Sequence, residues 1–284
     1  MSRFGVALRL LGLILFFVLI VGPQALSLRF GWPLAERLPV AFHRLFLRLF
    51  GVRVVERGRP PGAVPTLVLS NHVSWLDIPV IGSRRPLSFI AKSEIEGWPV
   101  IGLFAKLQRS VFIDRARRKA TAEVNQAVAH RLMRGEAIVL FAEGTTGDGT
   151  RLLPFRSSLV GAARAALTEP GLERIHLQPL AVSYVRRNGL PVTRRERPEI
   201  AWYGDMELAP HLGLFLKGGP LDAVVTWGEP IAFDPASDRK TATAEAEAAV
   251  RALIQAPPAA PEAPRLRPPV PRAAPVVASE PKSA

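Results

Sequence analysis

Leu67-Val68-Leu69-Ser70-Asn71-His72-Val73-Ser74-Trp75-Leu76-Asp77 runs from an apolar segment to a histidine and, five positions later, a carboxylate. The short apolar run reads as a buried strand, and the residues after it as the mouth of a helix. An imidazole delivered there accepts a proton from an alcohol near neutral pH. A carboxylate on its other nitrogen fixes the tautomer and stabilises the imidazolium. Five residues of ideal helix turn about 500° and leave two side chains roughly 140° apart, so His72 belongs in the loop before the helix. Ser74 is then the expected N-cap, with Asp77 in the first turn near the positive helix end. Ser74 and Asp77 also fit a simple capping box, with His72 only a loop residue.

Outward from this stretch, β-rich runs alternate with helical patterns. Strands are predicted at Val52–Val55, Thr66–Ser70, Leu87–Ala91, Ser110–Ile113, Ala137–Ala142, Leu177–Tyr184 and Leu221–Trp227. Helices are predicted at Ser74–Gly82, Trp98–Leu107, Ala116–Arg134, Ser157–Leu167, Glu207–Leu216 and Thr241–Ile254. The alternation implies an α/β fold, a sheet flanked by helices, with functional residues at strand ends and a domain over 51–255.

Residues 1–50 differ. From Leu10 to Leu28 there is no formal charge, and Leu, Ile, Val and Phe dominate, which suits a membrane. Leu34–Phe50 sets Leu38, Phe42, Leu45, Phe46 and Leu49 against Arg37, His43, Arg44 and Arg48, the pattern of an interfacial helix. Pro23 and Pro39 are expected to break the two segments. A single crossing, a re-entrant hairpin and a cleaved signal peptide all fit the first of them. Nine of the twenty-eight residues 257–284 are Pro and most others Ala, Val or charged, so residues 256–284 read as a disordered Pro/Ala-rich tail.

A net charge of +13 and a pI near 11.2 point to an anionic partner, nucleic acid or a lipid surface. The basic runs lack interleaved aromatics and match no nucleic-acid module, so a bilayer is favoured and no nucleic acid is expected. With no Cys there is no disulfide, thiol nucleophile or thiolate metal site. No metal is expected. No Gly-x-Ser-x-Gly elbow is present either, which argues against a serine lipid hydrolase.

Two further segments end β-like runs with polar groups, Ser110-Val111-Phe112-Ile113-Asp114-Arg115 and Leu140-Phe141-Ala142-Glu143-Gly144-Thr145-Thr146-Gly147-Asp148-Gly149. With Asn71, His72 and Asp77, this ordered series resembles the glycerolipid acyltransferases of the lysophosphatidate acyltransferase type. Their first motif is matched by Asn71, His72 and Asp77. The second is matched by Phe112, Ile113 and Arg115, the third by Phe141, Glu143, Gly144 and Thr145, and a proline-containing fourth by Leu177–Val182. The resemblance covers roughly residues 35 to 230. It implies that His72 is a general base oriented by Asp77, and that Arg115, Glu143, Gly144 and Thr145 bind the acceptor. It implies direct acyl transfer from acyl carrier protein or coenzyme A to a lyso-lipid, with no further cofactor, at the cytoplasmic face of a bacterial inner membrane.

A plainer reading stands beside the binding role of two of these, Arg115 as the start of a basic helix and Glu143 as an exposed turn residue, while Asp148 reads as turn chemistry. His43, His130, His176 and His211 lack a carboxylate context and read as structural or surface groups. Arg186, Arg187, Arg194, Arg195 and Arg197 read as a basic surface facing anionic headgroups.

Thr146 stands where the third motif commonly has Arg, the side chain suited to bidentate phosphate binding. The longer string from Glu143 to Leu159, with Ala201–Met206 and Pro210–Leu212, resembles a bacterial subgroup that acylates lyso-ornithine lipid, a phosphorus-free aminolipid. A phosphatidate-forming enzyme and a non-enzymatic basic membrane-surface or nucleic-acid-binding protein are the alternatives.

Overall fold

Leu67 and Leu69 face one hydrophobic layer and Val68 faces another, so the deciding strand is buried on both sides. The computed structural model describes residues 3–113, 118–168 and 172–256. Its strands are β1 (Val52–Arg57), β2 (Thr66–Ser70), β3 (Ser88–Lys92), β4 (Val111–Ile113), β5 (Ala137–Phe141), β6 (Ile175–Arg187), β7 (Leu190–Pro191), β8 (Leu221–Trp227) and β9 (Ile231–Phe233). Its helices are α1 (Arg3–Phe30), α2 (Leu34–Leu49), α3 (Asp77–Gly82), α4 (Ile101–Leu107), α5 (Arg118–Met133), α6 (Gly161–Ala166), α7 (Leu208–Lys217) and α8 (Arg239–Gln255).

The sheet order is β1-β8-β6-β2-β5-β3-β4, with β7 and β9 paired to β6. From β6 through β4 neighbouring strands run parallel, whereas β8, β7 and β9 lie antiparallel to β6. β2 therefore sits between two parallel partners, β5 and β6. Parallel strands need helical crossovers, which cover both faces and give the expected α/β sandwich. Val128, Leu132, Ala163 and Val250 close one face, and Leu47, Val80, Ile81 and Phe215 the other. Truncating a side chain such as Leu67 to Ala costs about 2–5 kcal/mol in a core of this kind.

Pro23 and Pro39 do not break their segments: α1 and α2 run through them. A helical proline leaves the carbonyl four residues earlier without its N–H donor. For Pro39 that carbonyl is Ala35, and Gln24 Nε2 of α1 donates to it at 2.9 Å and to Leu107 O of α4 at 2.8 Å. Phe17, Phe42 and Phe104 complete this junction, Phe104 lying 4.1 Å from Phe17 and 4.5 Å from Phe42 between ring centroids. The other side of α1 exposes Leu8, Leu11, Leu15, Val18 and Leu19. Among the described residues one helix is long and apolar enough to cross a membrane, at Phe4–Phe30, and none of its most apolar window is buried.

The basic surface expected after β6 is smaller than its composition suggests. Arg187 is buried, pairs with Glu199 at 2.8 Å and donates through Nε to Gly218 O at 2.8 Å. A register shift between Tyr184 and Arg186 breaks the in-out alternation of β6 and turns Arg187 toward α7. Arg197 is also engaged, donating to Gly149 O. Arg194 and Arg195 remain exposed.

Candidate active site

Where β2 ends, its backbone leaves the sheet and its neighbours would lose their partners. The Asn71 side chain replaces one of them: Nδ2 donates to Val182 O at 3.0 Å, and Oδ1 accepts Val182 N–H at 2.8 Å. On the other side Ala142 N–H reaches Ser70 O at 3.1 Å. The chain can then turn away from the sheet while the Val182 and Ala142 backbone groups keep partners.

Every backbone polar group of the next two residues is also engaged. His72 N–H donates to Glu143 Oε1 at 2.7 Å, and His72 O accepts Gly147 N–H at 2.8 Å. Val73 N–H donates to Asp77 Oδ2 at 2.7 Å, and Val73 O accepts Trp202 N–H at 2.9 Å. The imidazole stacks on Phe141 with centroids 3.7 Å apart and planes 10° from parallel.

Asp77 is fully buried, and its Oδ2 accepts from His72 Nδ1 at 2.8 Å as well as from the amides of Val73 and Ser74. Its Oδ1 accepts from Tyr184 Oη at 2.6 Å. The two readings of the Ser74–Asp77 pair meet here, because Asp77 reaches back to the Ser74 amide as in a capping box and also holds the imidazole. Ser74 is not the N-cap: α3 begins at Asp77, and the buried Ser74 hydroxyl has no hydrogen-bond partner among the described residues. The first amides of α3 are taken by the backbone instead, Asp77 N–H by Ser74 O at 3.0 Å and Ile78 N–H by Trp75 O at 3.3 Å, so no side-chain cap is needed. Burial and Asp77 push the Tyr184 phenol well above its ordinary value, so it stays a donor.

Glu143 is also buried. Both its oxygens serve the main chain, Oε1 taking the His72 amide and Oε2 the Leu153 amide at 2.9 Å. Burial raises its pKa to about 7, against the pull of those two amides and with a further rise from Asp77 and Glu247. Gly144, buried with φ of 76°, closes the turn after β5. Thr145 is exposed, and neither Gly144 nor Thr145 lines the cavity described next. Arg115 lies outside the described residues.

A cavity of about 220 Å³ opens beside His72, walled in part by Glu143, Asp148, Arg151, Tyr184 and Arg197. With Nδ1 occupied by Asp77, His72 Nε2 has no hydrogen-bond partner among the described residues and is the nitrogen left for chemistry. Among the described residues no group of three His, Asp or Glu side chains could hold a metal ion.

The family model described as Acyltransferase matches residues 40–183, half of the chain. The chain belongs to the acyltransferase family. This acyltransferase is 47% identical over 230 residues to a lyso-ornithine lipid O-acyltransferase of Brucella abortus, covering 81% of this chain and 85% of that one. It is 43% identical over 203 residues to the lyso-ornithine lipid O-acyltransferase of Rhizobium meliloti, covering 72% and 70% of the two chains. Its fold matches the crystal structure of the 1-acyl-sn-glycerophosphate acyltransferase of Thermotoga maritima with a TM-score of 0.51 at 20% identity, over 87% of this chain and 97% of that one.

Three further residues support the candidate site without belonging to its motifs. Tyr184 reaches Asp77 across 107 positions. His211, expected to be structural, takes the Trp75 indole N–H on Nδ1 at 3.0 Å and so donates through Nε2 to Ala201 O at 3.0 Å, bracing the loop from behind. Trp202 pins Val73 and donates through Nε1 to Met206 O at 2.7 Å. The only hint of the last two was the Ala201–Met206 and Pro210–Leu212 likeness.

Proposed function

We propose that this acyltransferase transfers a fatty acyl group from a thioester of acyl carrier protein or coenzyme A to the free hydroxyl of lyso-ornithine lipid, giving ornithine lipid. The reading rests on one observation: a carboxylate-anchored histidine on a cavity wall whose Nε2 has no partner among the described residues, in a chain without cysteine. His72 Nε2 takes the hydroxyl proton as the oxygen attacks the thioester carbon. Asp77 stabilises the imidazolium, as in histidine–aspartate pairs generally. The C–S bond then breaks, and the departing sulfur takes the proton from Nε2. No acyl-enzyme forms, and donor and acceptor supply all the chemistry, so no resident cofactor is needed.

The acceptor is favoured over lysophosphatidate by the extent of likeness to the Brucella protein and by Thr146, which cannot clamp a phosphate as Arg does. Membrane attachment through α1 and α2, with the site on the cytoplasmic face of the inner membrane, fits a lipid acceptor and a water-soluble donor. The test is labelled acyl transfer from acyl carrier protein to lyso-ornithine lipid and to lysophosphatidate in the same membranes. Faster transfer to lyso-ornithine lipid is expected, and a preference for lysophosphatidate would reverse the assignment.

A further inference from the structure

The cavity beside His72 carries opposite charges that are not paired with each other. Asp148 and Arg151 both line it, and among the described residues neither makes an ion pair. Asp148 Oδ1 accepts the amide of Thr150 at 2.8 Å and its hydroxyl at 2.7 Å, while Oδ2 takes no hydrogen bond among the described residues. Those bonds keep Asp148 ionised by lowering its pKa, with further help from Arg151 and Arg197. Arg197 holds Gly149 O, and Gly149 has a φ of 73° between Asp148 and Thr150, so the turn presenting this carboxylate is braced. Gly147, the preceding residue, is hydrogen-bonded to His72 O at 2.8 Å. The charged turn is thereby fastened to the catalytic loop.

An ornithine head with an acylated α-amine keeps two charges, a carboxylate and a side-chain ammonium. In an extended chain that ammonium lies roughly 10 Å from the acceptor hydroxyl. The cavity, at about 220 Å³, is smaller than the roughly 300–1,000 Å³ clefts that enclose drug-sized ligands, so it suits a headgroup while the acyl chain lies outside. Resting on the acceptor reading above, we propose that Asp148 and Arg151 form the headgroup subsite, Asp148 pairing with the ammonium and Arg151 with the carboxylate. A phosphate monoester would meet repulsion from Asp148 at the same place, so the pair selects a zwitterion over a dianion.

The test compares wild type, Asp148→Asn and Arg151→Gln on lyso-ornithine lipid, on its Nδ-acetyl analogue and on lysophosphatidate. Asn keeps an oxygen for Thr150, so the turn is retained, which unchanged thermal unfolding confirms. Removing a charge-assisted hydrogen bond weakens binding by an order of magnitude, so Asp148→Asn should raise KM for lyso-ornithine lipid about tenfold or more. The Nδ-acetyl analogue, already weaker with wild type, should lose nothing further, and Arg151→Gln should weaken both acceptors. Equal losses on both acceptors in Asp148→Asn, or unchanged KM in Arg151→Gln, would overturn the subsite alone. Wild type that acylates lysophosphatidate but not lyso-ornithine lipid would overturn the acceptor reading and the subsite with it.

Discussion

Tyr184 donates to Asp77 Oδ1 at 2.6 Å, on the oxygen opposite the one that holds His72. The phenol fixes the carboxylate plane and, through it, the imidazole. Tyr184→Phe should lower kcat about tenfold with KM little changed, since a hydrogen bond to a charged group is worth about 1.5–3 kcal/mol. Steady-state kinetics with saturating donor decides the point. Wild-type turnover in that variant would leave Tyr184 a packing residue.

His72→Ala should reduce acyl transfer by about 10²–10⁴-fold, the usual worth of a general base, while the protein still sediments with membranes. Asp77→Asn should fail chiefly in turnover, because an amide favours the wrong tautomer of the imidazole. Full activity of the alanine variant in a labelled-acyl assay would remove His72 from the mechanism.

Glu143 ionises near 4.5 when unfolded and near 7 when folded. Between those values the folded state binds the extra proton. Its contribution to stability is therefore fully present below about 4.5 and is lost as pH rises toward 7, by roughly 3 kcal/mol. Thermal unfolding in detergent across pH 4.5 to 7 should show this fall in wild type and a flatter profile in Glu143→Gln. Identical profiles would show that Glu143 does not carry the proton.

Asn71→Asp keeps the acceptor for the Val182 amide but leaves the buried Val182 carbonyl without a donor. A destabilisation of about 1–3 kcal/mol is expected, more than for substitution at an exposed loop residue. Chemical denaturation in detergent measures it, and a shift under a few tenths of a kcal/mol would contradict the role given to this amide.

β2 and β8 were legible to the residue, because Thr66–Ser70 and Leu221–Trp227 are apolar runs in a buried sheet. Helix starts differ in both directions: Ser74 gives way to Asp77 and Trp98 to Ile101, while α8 begins at Arg239, before the expected Thr241. At Ser74 the expectation assigned the cap to a hydroxyl, whereas a backbone turn takes the first helical amides. β7 and β9, of two and three residues, exist only because β6 offers them an edge. His72 and Asp77 were readable as a pair, but Tyr184 was not. Its position follows from the pairing of Leu180 with Ser70, and register is a tertiary property. Arg187 misled for the same reason, since composition carries no sign of the irregularity that turns it inward.

Gln24 has a consequence for how the enzyme meets its substrates. One amide on α1 bonds to two other helices, so the apolar helix cannot spin about its long axis without breaking both bonds. The azimuth of α1 is thus locked to that of the sheet. Whatever surface receives Leu11, Leu15 and Val18 also sets the direction in which the mouth of the His72 cavity looks. Anchoring and aiming become one mechanical degree of freedom.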